Sequence, residues 1–519
     1  MSEQTVINQE WKPKFNPWLV CVPLMVSAFM FVLDETIANV ALPYMAGSFS
    51  VSYKESTWIL TSYLIASGII IPSVDFFSKL MGRKNFLILS IIIFTISSFL
   101  CGIATSLPMM ILTRILQGFG GGAILPLCQS MMLELFPVEK RAQSMAMFGL
   151  VVVLAPILGP VVGGWITSNW SWPYIYYINI PFGILTIFLA QKYIEDPPYA
   201  KKQKNVYIDK LGFFTLTMWL SCMQVTLDKG NDLDWFGSTL ICWLTFFTVL
   251  FAIWFFYVQI TKKDSLIDLK VFKDANFFLG TMVQIIMQGV LLASITILPQ
   301  FLQSLMGYDA FLSGLAVMPR GVGALSVSII IGTIGSSINP KVLVVSGMTL
   351  LSISSFMLSG LNLEISTINI AIPNFIMGGA MAMSMIPIIT LSTMTLTNEQ
   401  MTNASGVQNL LKNLGGAIGT SVITTIISRR AQVHQHYLVD NLTATNNVFL
   451  ERLQSYIGAF MGNTDINHAT ELANSVLYKQ MLLQANMCAF KDAFEISAIA
   501  CLALIPLLML LKGMPKKQK

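Results

Sequence analysis

Apolar runs of about 18 to 28 residues, set apart by charged residues or by clusters of Pro, Gly and Asn, recur along the whole chain. Each is long enough to cross a hydrocarbon layer of about 30 Å, which takes about 20 helical residues. The pattern predicts about fourteen spanning helices, beginning near Leu19, Thr57, Phe86, Met109, Ser144, Tyr174, Leu211, Phe236, Phe277, Leu312, Val342, Ile365, Thr402 and Phe494. An even number places both ends of the chain on one side. One connection breaks the rhythm, from Arg429 to Asp492. Within it Leu450, Leu453, Ile457, Phe460 and Met461 repeat at helical spacing, as do Ala473, Leu477, Met481 and Ala485. The spacing predicts short amphipathic helices that lie on the membrane surface or against each other, or that offer a partner protein a docking surface.

Composition agrees with an all-α integral membrane protein. Of 519 residues, 55% are hydrophobic and 11% charged, against about 25% charged in ordinary soluble domains. The net charge is +5, and the Lys and Arg fall mostly between apolar runs, which argues against a nucleic-acid partner and for control of topology. Lys12 and Lys14, then Lys79, Arg83 and Lys84, then Lys140 and Arg141, then Lys201, Lys202, Lys204 and Lys210, then Lys262, Lys263, Lys270 and Lys273, and finally the Lys512 to Lys519 tail mark alternate connections. Both termini are therefore expected in the cytoplasm and the Arg429 to Asp492 segment outside. TMTLTNEQM, between the twelfth and thirteenth spans, carries no Lys or Arg and adds nothing to the rule. The cysteines show no paired spacing, and His434, His436 and His468 have no further ligands at metal-binding spacing, so neither a disulfide framework, a metal nor a cofactor is expected.

Two carboxylates, Asp34 and Glu35, stand inside the first apolar run, Pro17 to Tyr44. An ionised acid near a bilayer centre costs about 2.5 to 3.5 kcal/mol on insertion scales, so it is paired, protonated or wet. Neighbours on a helix point about 100° apart, so the two cannot share one partner. Arg114, in the fourth span, is the expected partner of Asp34; alternatively it snorkels to the interface. Gly118, Gly120, Gly121 and Gly122 after it allow close helix contact, and Pro156, Gly159, Pro160, Gly163 and Gly164 in the fifth span predict a bent, tightly packed helix.

These residues carry a resemblance. GLVVVLAPILGPVVGGW resembles the helix-five antiporter motif of the major facilitator superfamily, and LTRILQGFGGG, with Arg114, Gln117 and Gly118, its helix-four motif. LDETIANVALP, WILTSYLIA, YINIPFG, GLAVMPRG and NASGVQNLLKNLGGAIGTS are together similar to fourteen-span drug:proton antiporters of the EmrB/QacA type. The last two contain Arg320, Asn409, Lys412 and Asn413, the polar candidates of the second half. The resemblance implies two six-helix bundles, 19–193 and 277–513, joined by a segment 194–276 that holds two extra spans, with tails at 1–18 and 514–519 and an external loop at 429–493. Three positions depart from the pattern. In DFFSKLMGRKN, Asp75 stands where the superfamily's loop motif has Gly and Lys79 where it has Asp, although Gly82, Arg83 and Lys84 remain; Glu35 replaces a residue commonly small and neutral.

The expected function is export of bulky apolar or amphipathic compounds out of the cytoplasm in exchange for protons, across a bacterial cytoplasmic membrane, with Asp34, Arg114 and Glu35 as coupling residues. The resemblance also allows a periplasmic adaptor and an outer-membrane channel as partners. A dedicated exporter of one metabolite, lipid or siderophore and a non-transporting scaffold are the competing readings. No acid/base pair, HExxH or nucleophile constellation lies in the spans, so no enzyme activity is expected.

Overall fold

The computed structural model describes residues 13–136, 140–197, 202, 209–262, 267–334, 338–397, 400–443, 445–462 and 465–509. The basic positions Lys12, Lys201, Lys204, Lys263 and Lys512 to Lys519 lie outside them. Among the described residues the chain is helical throughout, with no strand. The first six long helices are α1 (Pro17–Phe49), α2 (Trp58–Met81), α3 (Arg83–Gly102), α4 (Leu107–Glu134), α5 (Gln143–Asn169) and α6 (Tyr174–Tyr193). Then come α7 (Lys210–Lys229) and α8 (Thr239–Thr261). The second set comprises α9 (Ala275–Ser304), α10 (Phe311–Thr333), α11 (Pro340–Ser359), α12 (Thr367–Thr393), α13 (Met401–Val439), the short α14 (Asn447–Phe460) and α15 (Ile466–Met509).

Thirteen of these helices are long and apolar enough to cross a membrane. The fourteenth expected span is α7, whose 20 residues reach about 30 Å. Thr215, Thr217, Ser221, Gln224 and Thr226 make it less apolar, and the hydroxyls of Thr215, Thr217 and Thr226 are spent on carbonyls of their own helix. By contrast α8 leaves Trp243, Phe246, Ile253, Tyr257 and Ile260 exposed, the surface of a helix solvated by lipid.

Buried apolar side chains collect in several clusters. One joins α1 to α6 and receives Ile331, Ala382, Ile386 and Ile389 from the second set. Another lies wholly within α9 to α13 and α15. A third ties α7 and α8 to α2, α9 and α13. Lys14 pairs with Glu195 at 3.4 Å and Trp18 packs on Phe136, so the N-terminal segment sits at the end that carries Arg83 and Glu134; this end is the tail side. At the opposite end Phe49 packs on Trp172 and Asp234 pairs with Arg429.

The segment from Arg429 to Asp492 departs from expectation. It is not a loop with two short helices of its own, because α13 continues unbroken to Val439 and the last span begins at Ile466, far before Phe494. No Gly or Pro interrupts Ser421 to Val439 or Ile466 to Ala503, so helical hydrogen bonding continues past the apolar stretch. The expected stripe Ala473, Leu477, Met481 and Ala485 is buried, extended by Ala469 and Ala489. On α14, Leu450, Leu453, Ile457 and Phe460 are half-buried while Met461 is exposed, and Gln480 of α15 donates to the Tyr456 hydroxyl at 2.7 Å.

Candidate functional site

Asp34 and Arg114 meet inside the first six-helix set, and neither has any exposed surface. Arg114 Nη1 donates to Asp34 Oδ2 at 2.7 Å. The other carboxylate oxygen, Oδ1, accepts from Gln117 Nε2 at 2.9 Å and from Asn179 Nδ2 at 2.7 Å. Arg114 and Gln117 are three residues apart, hence on one face of α4, and they are joined by a 2.7 Å bond from Arg114 Nη1 to Gln117 Oε1. Ser98 of α3 accepts from Gln117 at 2.8 Å. Four helices thus converge on one carboxylate.

Close packing brings the arginine there. A Cβ on Gly118 would stand 2.6 Å from the Tyr63 carbonyl oxygen and 2.8 Å from Ala66 Cβ, so only glycine lets α4 approach α2 this far. The approach sets Arg114 Nε 3.2 Å from the Ile59 carbonyl and its guanidinium carbon 4.0 Å from the centre of the Tyr63 ring. A desolvated cation over an aromatic face contributes about 2 kcal/mol. Arg114 Nη2 and the Tyr63 hydroxyl are enclosed without a hydrogen-bond partner among the described residues. Glu35 points elsewhere: it is half-buried and makes no side-chain hydrogen bond or ion pair with a described residue.

On the tail side the two departures from the loop motif answer each other. Asp75 and Lys79 pair at 2.5 Å, one helical turn apart. Gly82 turns the chain at φ +85°, where a Cβ would lie 2.7 Å from Asp196 Oδ2, and Lys84 N donates to Asp196 Oδ1 at 2.8 Å. Lys84 Nζ donates to the Gln191 carbonyl at 2.7 Å. Arg83 reaches Glu134 at 2.5 Å, with both side chains buried. The motif therefore clasps the tail-side ends of α2, α3, α4 and α6.

The helix-five cluster lies where α5 meets α1. A Cβ on Gly159 would strike Thr36 and stand 3.2 Å from Ile37 N, and one on Gly163 would stand 2.8 Å from Ile37 Cγ1. Pro156 and Pro160 lie inside the same helix, and Gly164 is buried, its carbonyl accepting from Thr167 at 3.2 Å. Elsewhere on α5, Val161 abuts Gly314 of α10 and Gly149 abuts Ile386 of α12. So α5 is held between α1 and the second helix set.

Residues 24–420 match the family model described as Major Facilitator Superfamily. The chain belongs to that superfamily. It is 32% identical over 499 residues to the probable multidrug resistance protein EmrY of Escherichia coli K12, covering 95% of each chain. It is 31% identical over 511 residues to the multidrug export protein EmrB of the same strain, covering 97% of each. Among solved structures it is similar in fold to the human organic anion transporter MFSD10, with a TM-score of 0.60, 11% identity and coverage of 95% of this chain and 98% of that one.

Major facilitator halves are internal repeats, and the second half reuses the first half's packing with different chemistry. A Cβ on Gly378 of α12 would fall on the Arg320 carbonyl of α10, as one on Gly118 of α4 would press on that of Tyr63 in α2. Asn374 precedes Gly378 by one turn, as Arg114 precedes Gly118. The cation has moved from one helix of the pair to the other. Arg320, fully buried, donates to Asn374 Oδ1 from Nε at 3.1 Å and Nη2 at 2.9 Å, and from Nη1 to Ser294 at 3.4 Å, with no carboxylate of a described residue at ion-pair distance.

The two halves of this superfamily member also meet through a polar chain toward the tail side. Asn409 Nδ2 of α13 donates to Gln129 Oε1 of α4 at 2.8 Å, Gln408 Nε2 to Ser392 of α12 at 2.8 Å, and Gln284 Nε2 of α9 to Ser392 at 3.2 Å. Lys412, one turn along α13 from Gln408, is 8% exposed; Asn413 is half-buried. Of these residues Asp34, Arg114, Gln117 and Asn409 stand out in the sequence, whereas Asn179, Ser98, Tyr63, Gln129 and Asn374 do not. A neutral polar side chain in an apolar run is too common to stand out, although Asn179 lies within the YINIPFG stretch.

Proposed function

We propose that this protein is a proton-coupled multidrug exporter, a drug:proton antiporter that moves bulky apolar or amphipathic compounds out of the cytoplasm by alternating access. The observation that carries the reading is the enclosed Asp34 to Arg114 pair, with Gln117 and Asn179 completing the carboxylate's hydrogen bonds. A buried pair of this kind holds two helices together while Asp34 is charged; a proton on Asp34 removes the Coulombic attraction and leaves Arg114 to its aromatic and carbonyl contacts. Occupancy of one carboxylate thus biases how α1 and α4 pack. The glycines of α5 give α1 a surface it can slide on, and α5 also abuts the other half, so the bias extends to the opening between the halves.

In this reading the bundles are 19–193 and 277–513, both termini and the 194–276 connections are cytoplasmic, and the membrane is the bacterial inner membrane. Relatives named as a multidrug export protein and as a probable multidrug resistance protein support the substrate class. The extended α13 and α15 with α14 form the surface on which a periplasmic adaptor, continuous with an outer-membrane channel, would dock. The work done is transport, not catalysis.

The test is Asp34→Asn in proteoliposomes carrying an imposed proton gradient and a panel of dyes. The variant inserts and binds dye like the wild type but shows no gradient-driven movement. Gradient-driven efflux at the wild-type rate would refute the coupling role of Asp34.

A further inference from the structure

Lys412 lies about 16 Å along α13 from Met401, close to the middle of a hydrocarbon layer about 30 Å thick. At 100° per residue its side chain projects between those of Gln408, which faces Ser392 of α12, and Asn409, which faces Gln129 of α4. On the next turn Gly415 and Gly416 press against Ile285 and Leu292 of α9. The ammonium therefore points into the protein, toward the line where α4, α9 and α12 converge, and away from lipid. Other basic groups buried within the helix bundles are provided for: Arg114 by Asp34, Arg83 by Glu134, Arg320 by Asn374 and Ser294. Lys412 makes no hydrogen bond or ion pair with any described residue. The effective penalty for enclosing an unpaired ammonium is several kcal/mol after relaxation, and an unpaired ionisable group inside a transport protein marks a ligand contact before it marks packing.

We infer that Lys412 is the head-group contact for amphipathic anions, its ammonium pairing with a carboxylate, sulfonate or phenolate carried by an otherwise apolar substrate. Ile285 and Leu292 of α9, which meet that same side of α13 at Gly415 and Gly416, favour an anion with an apolar body over a small hydrated one, which would have to shed its water to come so deep. The inference rests on the exporter reading for calling the ligand a substrate, and it narrows that ligand's chemistry.

Equilibrium binding tests it, with purified full-length protein in detergent and two fluorescent probes, a dansyl-labelled undecanoate and a dansyl-labelled undecylamine. Wild type binds the carboxylate probe at least about tenfold tighter than the amine. Lys412→Gln and Lys412→Met bind the two probes alike and melt no lower than wild type, because they remove a lone buried charge; Lys412→Arg keeps the preference. Equal binding of both probes by wild type, binding of neither, or a preference that survives in the Gln and Met variants would overturn the site. No gradient enters this measurement, so a failure of proton coupling leaves it unmoved.

Discussion

Asn409 of the second half donates to Gln129 of the first at 2.8 Å, and both side chains are enclosed where the halves close on the tail side. Removing one partner leaves a buried amide unsatisfied, at about 1 to 3 kcal/mol. Gln129→Ala therefore shifts the protein toward the form open on that side. A cysteine at Ser405, buried in the wild type, introduced into a cysteine-free background, labels about fivefold faster or more with an impermeant thiol reagent applied to inside-out vesicles when Gln129→Ala is present. Unchanged labelling would mean that the polar chain does not hold the halves.

Asn179 is predicted to matter nearly as much as the residues flanked by motif. Its 2.7 Å bond to Asp34 is a hydrogen bond to a charged acceptor, worth about 1.5 to 3 kcal/mol. Asn179→Leu slows proton-driven transport and lowers the melting temperature. The thermal deficit shrinks when Asp34→Asn is already present, since the neutral side chain has less need of the donor. A deficit of the same size in both backgrounds would assign Asn179 to packing alone.

Added volume at the α1 to α5 contact should separate insertion from turnover. Gly159→Ala forces Thr36 and the backbone at Ile37 aside, an overpacking of about 1 to 3 kcal/mol. Gly332→Ala has nothing within 4 Å of the new methyl group and serves as the matched control. Gly159→Ala reaches the membrane in normal amount with efflux reduced at least about tenfold, while Gly332→Ala transports normally. Equal efflux by the two would move the sliding surface elsewhere.

The tail-side ion pairs should differ in weight. Arg83 and Glu134 are buried, so Arg83→Ala leaves a carboxylate in a closed site at about 3 to 5 kcal/mol. Lys79 is 48% exposed, and its pair with Asp75 is worth about 0 to 1 kcal/mol. Exchanging the two charges, Asp75→Lys with Lys79→Asp, leaves the melting temperature nearly unchanged, whereas Arg83→Ala lowers it by several degrees. A large effect of the exchange would give the loop motif a role that its exposed pair does not explain.

What could be read in the sequence follows from how costly each feature is. Asp34 and Arg114 stand out in an apolar run because a charge there needs a reason, and their pairing is as expected. Gly159 and Gly163 are legible for a related reason, since small residues in a membrane helix mark close approach. The length of α13 and α15 is not legible by the same logic. Helical hydrogen bonds continue in water as well as in lipid, so the arrival of Arg429, Arg430 and His434 marks the end of the hydrocarbon and not the end of the helix. Asn179 and Asn374 find their partners through folding alone, because residues more than 50 positions apart leave no local trace.

The unbroken helices have a mechanical consequence. Ile466–Ala503 measures about 57 Å along its axis, roughly 27 Å more than the hydrocarbon it crosses. Asp492 clamps it to Arg430 and His434 of α13, and Gln435 of α13 ties the two again farther out by donating to the Tyr478 hydroxyl at 2.9 Å. Stiffly coupled rods of this length work as a lever arm. A tilt of about 10° in the last two spans swings their far tip by about 5 Å, so each turn of the carrier is broadcast as a displacement at a distance from the membrane. Distance labels on Ser475 and a fixed point of the first half would read the cycle at that tip, and a rigid binder clamped there would brake it without touching the drug.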